Sequence, residues 1–356
     1  MFALDPFKVL LPAVVSFIIG IIIAPIVGRF LIRNKLWKKK NVLKTIDGRE
    51  ATITASLHND EKAPVPRLGG IVMWASVFAT TLLFWTLSKV YPTAVTIKLD
   101  FISRNQTWLP LMAMLVGAIV GGIDDLLVAE AFGSKLNSYI GGGLSFPVRL
   151  FAVSALGLFA GWWFYFKLGV DSVYMPFYGH IYLGGLLFIL FFVLVTLAVF
   201  STGVIDGIDG LSGGVMSAVF TAYGMIAYVH GQVNISAFCF VVVGGIMAFL
   251  WFNIPPALFY LTETGMLALS LSLSVIAFLT DAVMYLPIIA FPLLATTLSV
   301  ILQLSWKKIF KRKLFIVAPL HHHFQAKGWP AAKVSMRYWI VAYMCALLGV
   351  IIALVS

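Results

Sequence analysis

Gly203-Val204-Ile205-Asp206-Gly207-Ile208-Asp209-Gly210-Leu211 lies between two apolar runs, 183–200 and 212–229, in a 356-residue chain that is only 11% charged. A carboxylate near mid-bilayer costs about 2.5 kcal/mol or more, so an ionisable residue among apolar runs is a functional suspect by default. This one has company. Asp124-Asp125, Glu263 and His321-His322-His323 also stand at the ends of apolar runs. What they can do together depends on whether they share one side of a membrane.

Composition identifies the solvent. Hydrophobic residues make up 61% of the chain and the mean hydropathy is +1.00, well outside the range of water-soluble domains. At about 20 residues per crossing, this length holds roughly nine to eleven spans plus loops. The first apolar run, Val9 to Ile32, exceeds a signal-peptide core and lacks a small-residue cleavage site, so it is expected to stay as a helix. Cys239 and Cys345 both lie in apolar runs, which points away from disulfides and redox chemistry. The net charge of +11 reads as loop orientation and contact with anionic headgroups, not as nucleic-acid binding.

Ten apolar spans are expected, at 9–32, 68–90, 108–127, 146–166, 183–200, 212–229, 234–252, 264–280, 285–305 and 337–355. With no internal repeat or low-complexity segment, residues 1–356 read as a single integral membrane domain. The expected fold class is an all-α polytopic membrane protein. Orientation follows from basic residues near span ends. Arg33, Lys35, Lys38, Lys39, Lys40 and Lys44 follow the first span, and Lys307, Lys308, Lys311, Arg312 and Lys313 follow the ninth. Both segments are assigned to the cytoplasm, and an even number of crossings separates them, so the assignments agree. Both termini then face outward. Parity places Asp124-Asp125, Asp206 to Asp209, Glu263 and the three histidines together at the cytoplasmic face. The outer loops are 91–107, 167–182, 230–233 and 281–284, and their acids Asp100, Asp171 and Asp281 belong to no dense polar motif.

Clustered carboxylates repel one another and persist best where a cation joins them. Hard oxygen donors suit magnesium, which keeps several waters and takes one or two carboxylates. Asp206 and Asp209 are three apart and would share one face if their turn were helical; the alternative is a pair of helix-capping aspartates. Gly207 and Gly210 allow close approach of backbone to a ligand, and the following helix start favours anions. Adjacent acids diverge on a helix, so one of Asp124 and Asp125 can act as ligand or base while the other orients it. Arg67, in Val65-Pro66-Arg67-Leu68-Gly69-Gly70, can hold a phosphate or anchor the span start. The histidines are expected to contact phosphate or order their loop, since no cysteine is near to complete a zinc shell. His58, His180 and His230 read as ordinary loop residues.

These motifs resemble the polyprenyl-phosphate N-acetylhexosamine-1-phosphate transferase superfamily, and most closely its phospho-N-acetylmuramoyl-pentapeptide transferase (MraY) branch. The likeness runs from about Lys62 to the C-terminus. It rests on Gly69-Gly70, Asp124-Asp125, Asp206-Gly207-Ile208-Asp209-Gly210-Leu211, Trp251-Phe252-Asn253 with Pro256-Ala257, and Leu298 to Gln303. The most branch-specific part is Ala318-Pro319-Leu320-His321-His322-His323-Phe324 followed by Lys327-Gly328-Trp329-Pro330. The resemblance implies ten spans, a cytoplasmic active site, a homodimer in the bacterial inner membrane, and magnesium. It also implies transfer of phospho-N-acetylmuramoyl-pentapeptide from UDP-N-acetylmuramoyl-pentapeptide to undecaprenyl phosphate, giving lipid I and UMP in peptidoglycan synthesis.

Carried over residue by residue, the resemblance makes Asp124 the base or positioning group, with Asp125 beside it, and Glu263 with Asp124 the magnesium ligands. Asp206 and Asp209 shape the nucleotide site, Tyr260 stacks on uracil, and Lys62 contacts phosphate near the entrance. Asn253, Gln303, His321, His322 and His323 contact substrate or order the loop. The chain differs from the family pattern at Phe200 and Gly203, where asparagines are usual, and at Glu263, where aspartate is usual. Val128 stands where a lysine is usual, with Lys135 downstream, and Arg149 is a further basic position. Val65 to Gly70 is nearer the WecA-like branch, which loads another UDP-N-acetylhexosamine. Two readings of other classes are a non-catalytic binder of nucleotide-sugar or lipid and a transporter. A transporter places ionisable groups midway along broken spans, whereas these acids stand at span ends.

Overall fold

The computed structural model describes residues 4–37, 64–102, 105–129 and 143–356. Among them, ten helices are long and apolar enough to cross a membrane. They are α1 (Leu4–Arg33), α2 (Gly70–Val90), α3 (Asn105–Val128), α4 (Phe146–Leu168), α5 (Gly185–Ser201), α6 (Leu211–Val229), α7 (Val233–Asn253), α8 (Thr262–Leu279), α9 (Phe291–Phe310) and α10 (Ala331–Val355). Continuous apolar runs take this form because lipid offers the backbone no hydrogen-bonding partner, and a helix satisfies each peptide group internally.

Most boundaries fall within a few residues of those expected, and the exceptions have local causes. The ninth helix begins at Phe291 rather than near 285. A 3-10 turn at Val283–Tyr285 and a single helical turn at Leu286–Ile289 precede it. Pro287 and Pro292 each occupy the first turn of a helix, where their missing N–H costs least, and so divide the run into two starts. The tenth helix begins six residues before the expected 337, because Lys333 and Arg337 do not break it. Both reach back over the Trp329 ring, at 5.1 Å and 4.2 Å from its centroid, so their charged heads are accommodated by a cation–π contact.

The described residues are mostly helical, as the expected all-α class requires, with one short exception. Ser172–Met175 (β1) and Gly179–Tyr182 (β2) form an antiparallel hairpin between α4 and α5. Its turn carries Phe177 at φ 65° and closes with Gly179 at φ 87°. Val173 is buried while β2 is mostly exposed. The hairpin is pinned to the far end of the bundle by Asp281, which accepts from the Tyr174 N–H at 3.3 Å and pairs with His180 at 3.4 Å.

The helices form an inner group and an outer ring. Of the most apolar window of each helix, 89% is buried in α8, 78% in α6 and 72% in α7, against 28% in α1 and 22% in α9. Exposed side chains such as Ile22, Phe151 and Leu186 make the outer ring apolar all round, as lipid contact requires. The most extensive pairings are α3 with α8, α1 with α7, and α6 with both α7 and α10. Glycine makes the first of these close. A Cβ at Gly121 would land on the Glu263 carbonyl and lie 2.6 Å from the Thr264 nitrogen, and one at Gly117 would lie 2.5 Å from the Leu267 oxygen. Spaced four apart, these two let α3 touch the α8 backbone. Asp124 and Asp125 follow Gly121 by about one turn and are thereby delivered to the start of α8.

Candidate functional site

Asp125 is wholly buried and receives four hydrogen bonds. Arg67 donates to Oδ1 through Nε at 3.1 Å and Nη2 at 2.8 Å, while Oδ2 accepts from Thr262 Oγ1 at 2.6 Å and the Thr264 N–H at 2.9 Å. The segment that presents Arg67 is stitched to the loop before α8. Gly69 donates its N–H to the Tyr260 carbonyl at 2.8 Å, and Tyr260 donates to the Pro66 carbonyl at 2.9 Å. Leu68, at φ 65°, gives its N–H to Thr262 Oγ1 at 3.1 Å. Arg67 therefore directs its fork at a carboxylate of its own chain, and Tyr260 is half-buried beside it.

Asp124 points elsewhere, as adjacent residues on a helix must. Its Oδ1 accepts the Leu144 N–H at 2.6 Å. Its Oδ2 lies 4.0 Å from Arg149 Nη1, and that same nitrogen donates to Glu263 Oε1 at 2.9 Å. Arg149 stands in the first turn of α4, whose start is fixed by Pro147. Asp124 is almost fully buried, whereas the Glu263 and Arg149 side chains are about a quarter exposed, at 28% and 27%. One guanidinium thus spans the two carboxyl groups named above as magnesium ligands.

The segment Asp206 to Gly210 meets this group from α5 and α6. It is not helical. A 3-10 turn, Thr202–Ile205, ends before it, so the two aspartates do not share a face. Asp206 accepts from Ser212 Oγ at 2.6 Å and from the Thr262 N–H at 2.8 Å. Burial pushes its carboxyl above the usual carboxylate range, against these two bonds and the charge of Arg67. Asp209 turns the other way and accepts the Ala257 N–H at 3.1 Å, while its carbonyl accepts from Ser335 Oγ at 2.8 Å. Neither caps α6, whose N-cap is Gly210 at φ 73°.

Gly210 is held on both sides. Its N–H goes to Asn253 Oδ1 at 2.9 Å, and its carbonyl accepts from Trp339 Nε1 at 2.9 Å. Asn253 also gives its Nδ2 to the Phe259 carbonyl at 2.8 Å. The buried amide therefore clamps the loop between α7 and α8 against the Asp206–Gly210 segment. Asn253→Leu leaves both backbone groups without their partner, at about 1–3 kcal/mol for each buried orphan. A clear fall in the unfolding midpoint of detergent-solubilised protein is expected, and an unchanged midpoint would contradict the clamp.

The histidines close the site from Leu320–Ala326, a short helix before α10. A Cβ on Gly207 would lie 2.7 Å from His321 Nε2 and 3.2 Å from His322 Nε2, so a larger residue there collides with the imidazoles. His322 Nδ1 pairs with Gln325 Oε1 at 2.7 Å. His323 turns outward and accepts the Ile316 N–H at 3.3 Å. Burial and the charge of Lys327 hold its imidazole below the ordinary histidine value. Gln303 folds the 314–315 turn, accepting from the Leu314 and Phe315 N–H groups at 3.0 Å and 2.8 Å and donating to the Phe315 carbonyl at 3.1 Å.

The structure therefore brings Arg67, Asp124, Asp125, Asp206 and Glu263 into one group. Asp209, Asn253 and the histidines line its flank, and Gln303 lies farther out. Lys62 and Lys135 fall outside the described residues. Sequence reasoning missed Thr262, Thr264, Ser212, Ser335 and Trp339. Small hydroxyls in apolar runs are too common to signal, and Trp339 lies far from its partner in sequence. Among the described residues, no set of three or more His, Cys, Asp or Glu is arranged to hold a metal. Asp124 and Glu263 still fit magnesium, which binds through one or two carboxylates plus waters and substrate oxygens, and both already face one positive centre.

The family described as Glycosyl transferase family 4 matches residues 107–281, the stretch from α3 to the end of α8. The chain is 30% identical over 365 residues to the phospho-N-acetylmuramoyl-pentapeptide-transferase of Chloroflexus aurantiacus, covering 99% of this chain and 91% of that protein. The protein of the same name from Syntrophus aciditrophicus is 31% identical over 94% of this chain and 90% of its own length. The one from Gluconacetobacter diazotrophicus is 32% identical over 82% and 80%.

Proposed function

The chain belongs to the phospho-N-acetylmuramoyl-pentapeptide transferase family, and from that membership we propose that it is a multi-pass enzyme of bacterial peptidoglycan synthesis. It moves phospho-N-acetylmuramoyl-pentapeptide from its UDP donor to undecaprenyl phosphate, giving lipid I and UMP. The observation that carries this reading is the meeting of Asp124, Arg149, Glu263 and Asp206 at the ends of spans. One substrate is anchored in the bilayer and the other is dissolved in the cytoplasm. Only a site at headgroup level serves both. The basic segments after α1 and α9 support a cytoplasmic position for this end and an outer one for the hairpin end. In this reading the protein is a homodimer in the inner membrane, with one transferase domain over residues 1–356, as the family resemblance implies.

In the reaction, an oxygen of the lipid phosphate attacks the sugar-linked phosphorus of the donor. The bond from that phosphorus to the bridging oxygen breaks, and UMP departs with the electron pair. Magnesium held by Asp124 and Glu263 supplies charge neutralisation for the two phosphates when bound. Asp124, buried beside Leu144, orients the lipid phosphate or takes its proton. Asp125 is a positioning residue, since its four bonds fix Arg67, Thr262 and the start of α8. Asp206, through Ser212 and Thr262, sets the edge of the nucleotide site. Tyr260 stacks on uracil, Lys62 meets phosphate near the entrance, and the histidines order the flank.

The Val65 to Gly70 segment favours a second reading, a WecA-like transferase with another UDP-N-acetylhexosamine. A rival of another class is a binder without turnover, given that Phe200 packs into an apolar cluster with Leu267 and Leu271. Release of UMP separates catalysis from binding. Solubilised protein given magnesium, undecaprenyl phosphate and a panel of UDP-sugars is expected to release UMP. No UMP from any donor, with a known transferase active in parallel, removes the enzyme reading.

A further inference from the structure

We propose that the Arg149 guanidinium is a built-in competitor for the divalent cation at Asp124 and Glu263, and that it leaves these carboxylates for the donor diphosphate when the cation enters. The inference rests on the magnesium reading above and concerns what Arg149 does before and during binding.

Geometry supplies the first support. Arg149 Nη1 lies 2.9 Å from Glu263 Oε1 and 4.0 Å from Asp124 Oδ2. A magnesium ion needs carboxylate oxygens at about 2.0–2.1 Å. The ion and the guanidinium therefore draw on the same carboxyl groups, and their positive charges repel across the gap. Occupancy by one weakens the other.

The hydrogen-bond inventory supplies the second. A guanidinium carries five N–H donors in a fixed fork, yet the buried Nε of Arg149 has no acceptor among the described residues. Among the described residues, its place between the carboxylates leaves the fork incompletely satisfied. A diphosphate offers several acceptor oxygens in the spacing that a guanidinium matches. Arg67 is the useful contrast. Its Nε and Nη2 both reach Asp125, a carboxylate fixed by two further donors, so Arg67 has no comparable reason to exchange. Arg149 also sits on the first turn of α4 with about a quarter of its side chain exposed, so it can swing without disturbing a packed element.

Manganese is the probe, because the free ion is counted directly by its electron paramagnetic resonance signal. It is titrated into the full-length solubilised protein, without turnover. Arg149→Ala is expected to bind manganese about tenfold more tightly than the parent, and Arg149→Lys, which keeps the charge, to stay near the parent. UDP should tighten manganese binding more in the parent than in Arg149→Ala, since only the parent has a competitor for UDP to draw away. Equal or weaker manganese affinity in Arg149→Ala overturns the proposal. So does unchanged affinity in Glu263→Gln, which would place the cation elsewhere. If Arg149→Ala proves unfolded by its elution profile, Arg149→Gln carries the measurement. Because manganese is counted without chemistry, failure here is distinct from failure of UMP release, which concerns the transferase reading.

Discussion

Asp125→Asn is expected to abolish turnover and to lower the unfolding midpoint more than any other single change in the site. The carboxylate is wholly buried and binds Arg67, Thr262 and Thr264 at once. An amide of the same size supplies one acceptor oxygen and turns an N–H2 toward donors that already point inward. The Arg67 guanidinium then loses its counter-charge in a largely desolvated position. Breaking one partner of a buried ion pair costs about 3–5 kcal/mol, a large part of the stability of an ordinary domain. Because Thr262 also donates to Asp206 and Thr264 lies in the first turn of α8 beside Glu263, the damage is expected to spread to the proposed phosphate site. Thermal unfolding in detergent together with UMP release checks this. A midpoint near that of the parent would mean that Arg67 finds another partner and that Asp125 does not organise the site.

Glu263→Ala is expected to give the opposite profile, with a large loss of activity and a small loss of stability. Its side chain is partly exposed and makes one ion pair, with Arg149, and partly exposed pairs contribute about 1 kcal/mol or less. As a proposed magnesium ligand, however, it acts where charge develops between two phosphates. Loss of such a group costs about 10²-fold or more in turnover. Glu263→Asp tests reach, because it shortens the ligand by one methylene while keeping the charge. It is expected to recover part of the rate. Full activity in Glu263→Ala at any magnesium concentration would remove the ligand role.

What the sequence made legible follows from how each feature is encoded. The ten helices were readable because lipid exposure makes α1, α4, α9 and α10 apolar over whole turns, while α6 to α8 are apolar through burial. Both causes leave the same local signature. The hairpin at 172–182 was not, since its strands are four residues each and half exposed. Asp124, Asp125, Asp206 and Glu263 stood out because charge is rare in this chain. Their divergent directions did not show, because Asp206 and Asp209 follow a 3-10 turn whose end no residue announces. The partners were harder still. Asn253 spans from α7 to Gly210, and Trp339 reaches the same glycine from α10. Contacts between distant helices are a property of packing, and a single sequence carries no local trace of them.

The identity of the transferred group is open to one direct measurement. The solubilised protein is offered UDP-N-acetylmuramoyl-pentapeptide and UDP-N-acetylglucosamine in equal amounts, with magnesium and undecaprenyl phosphate, and the lipid product is weighed by mass spectrometry. The expected product is undecaprenyl diphosphate bearing N-acetylmuramoyl-pentapeptide, formed with an equal amount of UMP and lost when magnesium is chelated. A product bearing only N-acetylglucosamine, or no lipid product while a known transferase makes one, would overturn transfer of the muramoyl-pentapeptide group by this protein.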